Sequence, residues 1–187
     1  MTLSSSKRRS PAIRTFPLES VKSFLMFGSN LGDRYGFLKK AFDSVSHLSK
    51  VKLLNNSGIY ETEPVEVTEQ PLFLNAAACV STSLRPIELL RELKTIEETV
   101  GRIPRQRWHE REIDIDIIFY NNETMDTKEL TIPHPKAHLR RFVLQPLNEI
   151  ASSYVHPLFH KTVNQLLLEC KDTSTVTRLD EPLLLAN

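Results

Sequence analysis

The stretch Glu112-Ile113-Asp114-Ile115-Asp116-Ile117-Ile118-Phe119 alternates with period two. Ile113, Ile115 and Ile117 share one face of a strand, and Asp114 and Asp116 share the other. Working outward, a strand at about Val21–Phe27 runs into the turn Gly28-Ser29-Asn30-Leu31-Gly32, and Asp33 is placed to cap a helix. Leu38, Ala41, Phe42, Val45 and Leu48 give that helix its apolar stripe. A second strand is expected over about Val51–Thr62, a loop over Glu63–Pro71, and a third strand over Phe73–Thr82. Pro86 suits the first turn of a second helix, Leu89, Leu90, Leu93, Ile96 and Val100 form its buried stripe, and Gly101 stops it. With Ile113–Tyr120 as the fourth strand, the order is strand-helix-strand-strand-helix-strand. That is an α/β (α+β) chain with a ferredoxin-like βαββαβ core. A proline-rich loop and two additional C-terminal helices, about Phe142–Ile150 and Val163–Cys170, follow it.

The chain has 187 residues, 40% hydrophobic and 25% charged, with a formal net charge of +1. This suits one packed domain and argues against a dedicated binder of nucleic acid or anionic membrane. No apolar run approaches the roughly 18 residues of a membrane helix. The five glycines form neither a P-loop nor a G-x-G-x-x-G turn, so a nucleotide would have to be held without a glycine cradle. Cys79 and Cys170 have no C-x-x-C partner and read as thiols of a reducing compartment, with a cytoplasmic location expected. Residues 1–20 read as a flexible basic extension, either a frayed terminus or a transit peptide. Residues 21–160 form the expected domain, and 161–187 a C-terminal helix and tail.

Asp114 and Asp116 lie roughly 6–7 Å apart on one strand face, where like charges call for a cation. Oxygen ligands without Cys or His point to a hard ion such as Mg²⁺. An exposed strand face, or salt bridges to Arg111 or Arg107, would explain the pair equally well. Upstream, Arg102, Arg105, Arg107 and Arg111 crowd a loop after the helix stop, with Trp108 among them. Such a loop suits phosphate oxygens, a solvated charge cluster, or stacking on a single-stranded nucleic acid. Phe73 and Asn75 share a strand face, offering a flat ring beside an amide, as a planar heterocycle would need. A core Phe and a turn Asn are the plainer alternative. His134 and His138 are separated by Pro135, which argues against a helical zinc pair.

Taken together, these segments resemble the 6-hydroxymethyl-7,8-dihydropterin pyrophosphokinases. The resemblance spans about Phe24–Glu149. It is carried by Gly28-Ser29-Asn30-Leu31-Gly32-Asp33, Tyr60-x-Thr62-x-Pro64, Gln70-Pro71-x-Phe73-Leu74-Asn75 and Gly101-Arg102. Arg107-Trp108-x-x-Arg111-x-x-Asp114-x-Asp116-Ile117 and Ile132-Pro133-His134-Pro135 leading to Arg140-x-Phe142 complete it. It implies transfer of pyrophosphate from ATP to the pterin hydroxymethyl group, with AMP released. It implies two Mg²⁺ ions on Asp114 and Asp116, with Arg105 and Arg111 assisting catalysis. Phe73 and Phe142 would sandwich the pterin, Thr62, Asn75 and backbone near Val65 would bind its polar edge, and Trp108 would cover both ligands. Glu97, Arg102, Arg107, Arg111, Ile117, Thr131, His134 and Arg140 would form the ATP site. Lys94 stands where some members carry glutamine. The implied partners are the two small-molecule substrates, with no nucleic acid or membrane, and the protein would act as a monomer. RNA-recognition domains share the strand order, but Phe73–Thr82 lacks their aromatic-glycine signature.

Overall fold

The computed structural model describes residues 19–65, 69–105, 109–181 and 183. The βαββαβ core consists of β1 (Val21–Ser29), α1 (Arg34–Ser46), β2 (Val51–Asn56), β3 (Tyr60–Thr62), β4 (Phe73–Thr82), α2 (Pro86–Val100) and β5 (Asp114–Tyr120). After it come β6 (Met125–Asp126), β7 (Thr131–Ile132), a 3₁₀ turn (Ala137–Leu139), α3 (Arg141–Ala151), α4 (Val163–Glu169) and β8 (Val176–Arg178). The main sheet has six strands in the order β5-β1-β4-β3-β8, with β2 also on β4, and every pairing is antiparallel. The short β6–β7 hairpin forms a second sheet.

Helices cover both faces of the sheet, so the central strand β1 is apolar in both directions. Leu25 and Phe27 point into the core with α1 and α2, beside Phe42, Leu93, Ile115 and Ile117. Phe24 and Met26 point the other way, toward Val143, Leu144, Leu147 and Leu166 of α3 and α4. The Asp33 carboxylate accepts the Gly36 amide at 2.9 Å and caps α1 as expected. Gly101 ends α2 at φ 123°, a backbone conformation that disfavours any side chain.

The single strand expected over 51–62 is instead two strands, because β4 is met across an extra residue. Asn56 pairs with Ala78 and Tyr60 with Asn75, four steps against three. At the break the Ser57 hydroxyl accepts the Ala77 amide at 2.9 Å and donates to the Gly58 carbonyl at 2.7 Å. The Gly58 amide leaves the ladder for the Glu149 carboxylate. A second irregularity lies in β5, where Phe24 pairs with Phe119 and Leu25 with Ile117, leaving Ile118 as a bulge. It reverses the parity of the strand. Ile113, Ile115, Ile117 and Tyr120 face α1 and α2, while Ile118 and Phe119 join the opposite core. The hairpin and β8 carry no pattern readable in the sequence, being two or three residues per strand.

Candidate active site

One cavity of about 410 Å³ opens on the β5–β1–β4 part of the sheet, lined by groups from most of the core elements. On its first side stand Phe73 and Asn75 of β4, Thr62 of β3, Pro64 and Val65 of the following loop, and Phe142 of α3. Asn75 is a buried strand residue rather than a turn residue, and its Nδ2 donates to Thr62 Oγ1 at 2.7 Å. Its Oδ1 faces Gly28, where a Cβ would come within 2.9 Å of it. Glycine is required there by the closeness of that amide. Phe73 is half-buried on the cavity wall rather than in the core. Arg34 of α1 braces this side from behind, donating to Glu61 at 3.1 Å and to the Leu72 carbonyl at 2.7 Å.

Asp114 and Asp116 form the second side, with Arg102, Arg105, Arg111, His134 and Arg140 around them. Asp114 receives Arg111 and Arg102, the latter at 2.5 Å, and Lys94 Nζ lies 3.7 Å away. Burial pushes its carboxyl up, but these three cations outweigh that and hold it below its ordinary value. The Asp116 side chain makes no hydrogen bond or ion pair among the described residues, although its backbone pairs with Met26 of β1. Burial, and then the Asp114 charge, push it up to about 7. Of the readings left open for the pair, salt bridging holds for Asp114, through Arg111, while the Asp116 carboxyl has no such partner among the described residues. Glu97 lies beneath them. Its Oε1 accepts the Ile115 amide and Lys94 Nζ, each at 2.7 Å, and its Oε2 receives Arg102. Burial raises its carboxyl above the usual range against the pull of Lys94 and Arg102.

Burial, reinforced by the Arg140 charge, lowers His134 to about 4, so its imidazole is neutral at neutral pH. Its Nδ1 accepts the Lys136 amide at 3.3 Å, so Nε2 carries the hydrogen. His138 packs its ring on Phe159 with centroids 4.5 Å apart. Arg105 is held in a two-pronged pair with Glu112, at 2.8 and 2.6 Å, which draws Glu112 down to about 2. Ile117 turns its side chain into the core and Thr131 bonds Asp126 at 3.0 Å, so neither lines the cavity. Arg107, Trp108 and the loop residue Glu66 lie outside the described residues.

Asn30 of the glycine-rich turn has a role that its place in the sequence does not announce. Its Oδ1 accepts the Arg111 amide at 2.8 Å and its Nδ2 donates to Gln70 at 3.1 Å, joining the arginine loop to the loop before β4. Its signal was a polar residue inside a turn that caps nothing.

No group of three or more His, Cys, Asp or Glu able to hold a metal occurs among the described residues. Two carboxylates do fit a hard cation that takes its remaining ligands from phosphate oxygens and water. The want of a partner on Asp116 is the observation that supports this.

The sequence profile of the 7,8-dihydro-6-hydroxymethylpterin-pyrophosphokinase (HPPK) family matches residues 24–152. The 2-amino-4-hydroxy-6-hydroxymethyldihydropteridine pyrophosphokinase of Haemophilus influenzae is 41% identical over 137 residues, 73% of this chain and 86% of the relative. The Bacillus subtilis protein of the same name is 41% identical over 128 residues, covering 68% and 77%. The Plasmodium falciparum HPPK-DHPS structure superposes with a TM-score of 0.66 at 17% identity, over 81% of this chain but 43% of that one, and shows the shared fold. The chain likewise spans 24% of the Folic acid synthesis protein FOL1 of Dictyostelium discoideum, at 38% identity. No helix among the described residues is long and apolar enough to cross a membrane.

Proposed function

The chain belongs to the 7,8-dihydro-6-hydroxymethylpterin-pyrophosphokinase family, and on that premise we propose how its pocket performs the reaction. ATP gives its pyrophosphoryl group to the hydroxymethyl oxygen of 6-hydroxymethyl-7,8-dihydropterin, yielding the pterin diphosphate and AMP. The observation that carries this reading is the union, in one cavity, of an aromatic-amide wall with an acidic pair rimmed by arginines.

The pterin lies between Phe73 and Phe142, its polar edge against Asn75, Thr62 and the backbone near Val65. Because Asn75 is already tied to Thr62, the amide is fixed before the ligand arrives, which lowers the ordering cost of binding. ATP phosphates meet Arg102, Arg105, Arg111 and Arg140, with neutral His134 as a hydrogen-bond donor. Two Mg²⁺ ions would be held by Asp114 and Asp116 and would supply charge neutralisation of the triphosphate and polarisation of the attacked phosphorus. Arg102 and Arg111 each contact Asp114 through one nitrogen, Nη1, of a guanidinium with five N–H donors, so they can hold the aspartate and still meet phosphate oxygens. Arg105 pairs with Glu112 through both Nη atoms, so its turn to phosphate competes with that pair. The protein positions the hydroxyl opposite the leaving oxygen and stabilises charge, and no covalent step is asked of it. The two free cysteines support a cytoplasmic setting for this reading.

The test is purified protein with ATP, Mg²⁺ and the reduced pterin, AMP being followed by chromatography. AMP should appear only with all three. Asp116→Ala should lower turnover about 10²–10³-fold with the fold intact, the usual cost of losing one electrostatic anchor of a transition state. Undiminished AMP release by the Asp114→Ala, Asp116→Ala double variant would exclude the metal assignment.

A further inference from the structure

Helix α3, which carries Phe142, begins without help from its own neighbourhood. Its N-cap position is Arg140, whose side chain makes no capping bond. Pro146 lies inside the helix and has no N–H, so the bond back to the Phe142 carbonyl is missing. The turn bearing the aromatic ring therefore lacks both a local cap and one rung of its ladder.

A carboxylate 31 residues downstream fills the first of these deficits. Asp172 Oδ2 accepts the Arg141 amide at 2.8 Å, bringing negative charge to a helix N-terminus. Its Oδ1 accepts the Ser174 amide at 2.9 Å and hydroxyl at 2.5 Å. Burial pushes the Asp172 carboxyl up, but these donors and Arg141 hold it below its ordinary value. Next along the tail, the Thr175 amide donates to the Glu63 carboxylate at 3.0 Å, and the Thr175 carbonyl accepts the Glu63 amide at 3.4 Å. β8 then pairs with β3, with Val176 opposite Thr62. Arg178 reaches Glu149 of α3 at 3.3 Å, and Leu183 is buried in the main core. The tail stitches α3 to β3, the two elements that bear Phe142 and Thr62. All of it lies beyond residue 152, where the family match ends.

We propose that Asp172 is a positioning residue for the pterin: by capping α3 from the tail, it sets Phe142 relative to the strand that carries Thr62. This rests on the reading of that wall as the pterin site. The typical loss of a helix cap, about 1 kcal/mol, corresponds to about fivefold in apparent affinity.

The experiment is steady-state kinetics on the full chain. Asp172→Ala should raise the KM for pterin up to about fivefold, leaving kcat and the KM for ATP within about twofold. Asp172→Asn keeps an acceptor for the Arg141 amide and should recover most of the loss. Ser174→Ala, a milder change, should shift the pterin KM the same way by about twofold, and it decides alone if Asp172→Ala does not fold. An unchanged pterin KM, equal shifts for both substrates, or an Asn variant no better than Ala would overturn the proposal. Wild-type protein that releases no AMP with pterin would overturn the site reading, and this inference with it. Normal wild-type activity with unaffected variants would overturn the inference alone.

Discussion

Glu97→Ala removes three contacts at once, and the structure sets their weights. The Ile115 amide, 2.7 Å from Oε1, sits where Glu97 is only 1% exposed, so no water replaces the lost acceptor. An orphaned buried amide costs about 1–3 kcal/mol. The two cations lose less. The side chains of Lys94 and Arg102 are 43% and 28% exposed, and both keep Asp114, at 3.7 and 2.5 Å. The full ~3–5 kcal/mol of a broken buried pair therefore does not apply. We expect Glu97→Ala to lose about 3 kcal/mol of stability. Glu97→Gln keeps an oxygen for the Ile115 amide and should lose about 1–2 kcal/mol. Urea unfolding followed by circular dichroism at neutral pH reads both from the midpoints, provided the slopes match the wild type. A loss below about 1 kcal/mol for the alanine variant, or a glutamine variant worse than alanine, would refute the view that this carboxylate pins β5 to α2.

Two further outcomes follow from the geometry. Gly28→Ala places a methyl 2.9 Å from Asn75 Oδ1, so the amide must move. The KM for pterin should rise about tenfold, or ~1.4 kcal/mol, with the KM for ATP unchanged, and parallel kinetics for the two substrates would contradict it. His156 is 2% exposed and its Nδ1 faces the Leu158 and Phe159 amides, at 3.2 and 3.4 Å. Burial, then the neighbouring His138, lower it from 6.5 to about 4. A histidine with a folded value below its unfolded one contributes stability that is complete above pH 6.5 and falls as pH drops toward about 4. The gap is worth on the order of 3 kcal/mol. Unfolding free energies measured across that window should therefore fall more steeply in wild type than in His156→Gln, and equal slopes would refute the assignment.

The core was legible because its signals are strong and local. Period-two and helical spacings, the Asp33 cap, Pro86 and Gly101 each state a backbone preference in the residue itself. The break in the strand over 51–62 was not legible, because it depends on the Ser57 hydroxyl meeting Ala77 and the Gly58 amide meeting Glu149, contacts between distant residues. The site was legible as residue types in order along the chain. Its pairings were not: nothing in the spacing says that Arg102 rests on Asp114 and Glu97 while Arg105 rests on Glu112. The tail was least legible of all. Three residues of β8 have no periodicity to read, and the value of Asp172 emerges only once the Arg140 side chain is seen to make no cap for α3.

The extra residue at Ile118 acts as a detent on the strand that carries the acids. If β5 slid by one position along β1, Asp114 and Asp116 would be driven among Leu93, Phe27 and Phe42, and the isoleucines would be turned out into the charged cleft. The Tyr120 hydroxyl would also leave the Leu84 carbonyl, which it reaches at 2.6 Å. A bulge can be matched only in one alignment, so the sheet locks the acid-bearing end by a notch cut into its apolar end. The strand thus divides its labour lengthwise, with Asp114 and Asp116 turned to the cavity and Ile118 to Tyr120 keeping them from drifting.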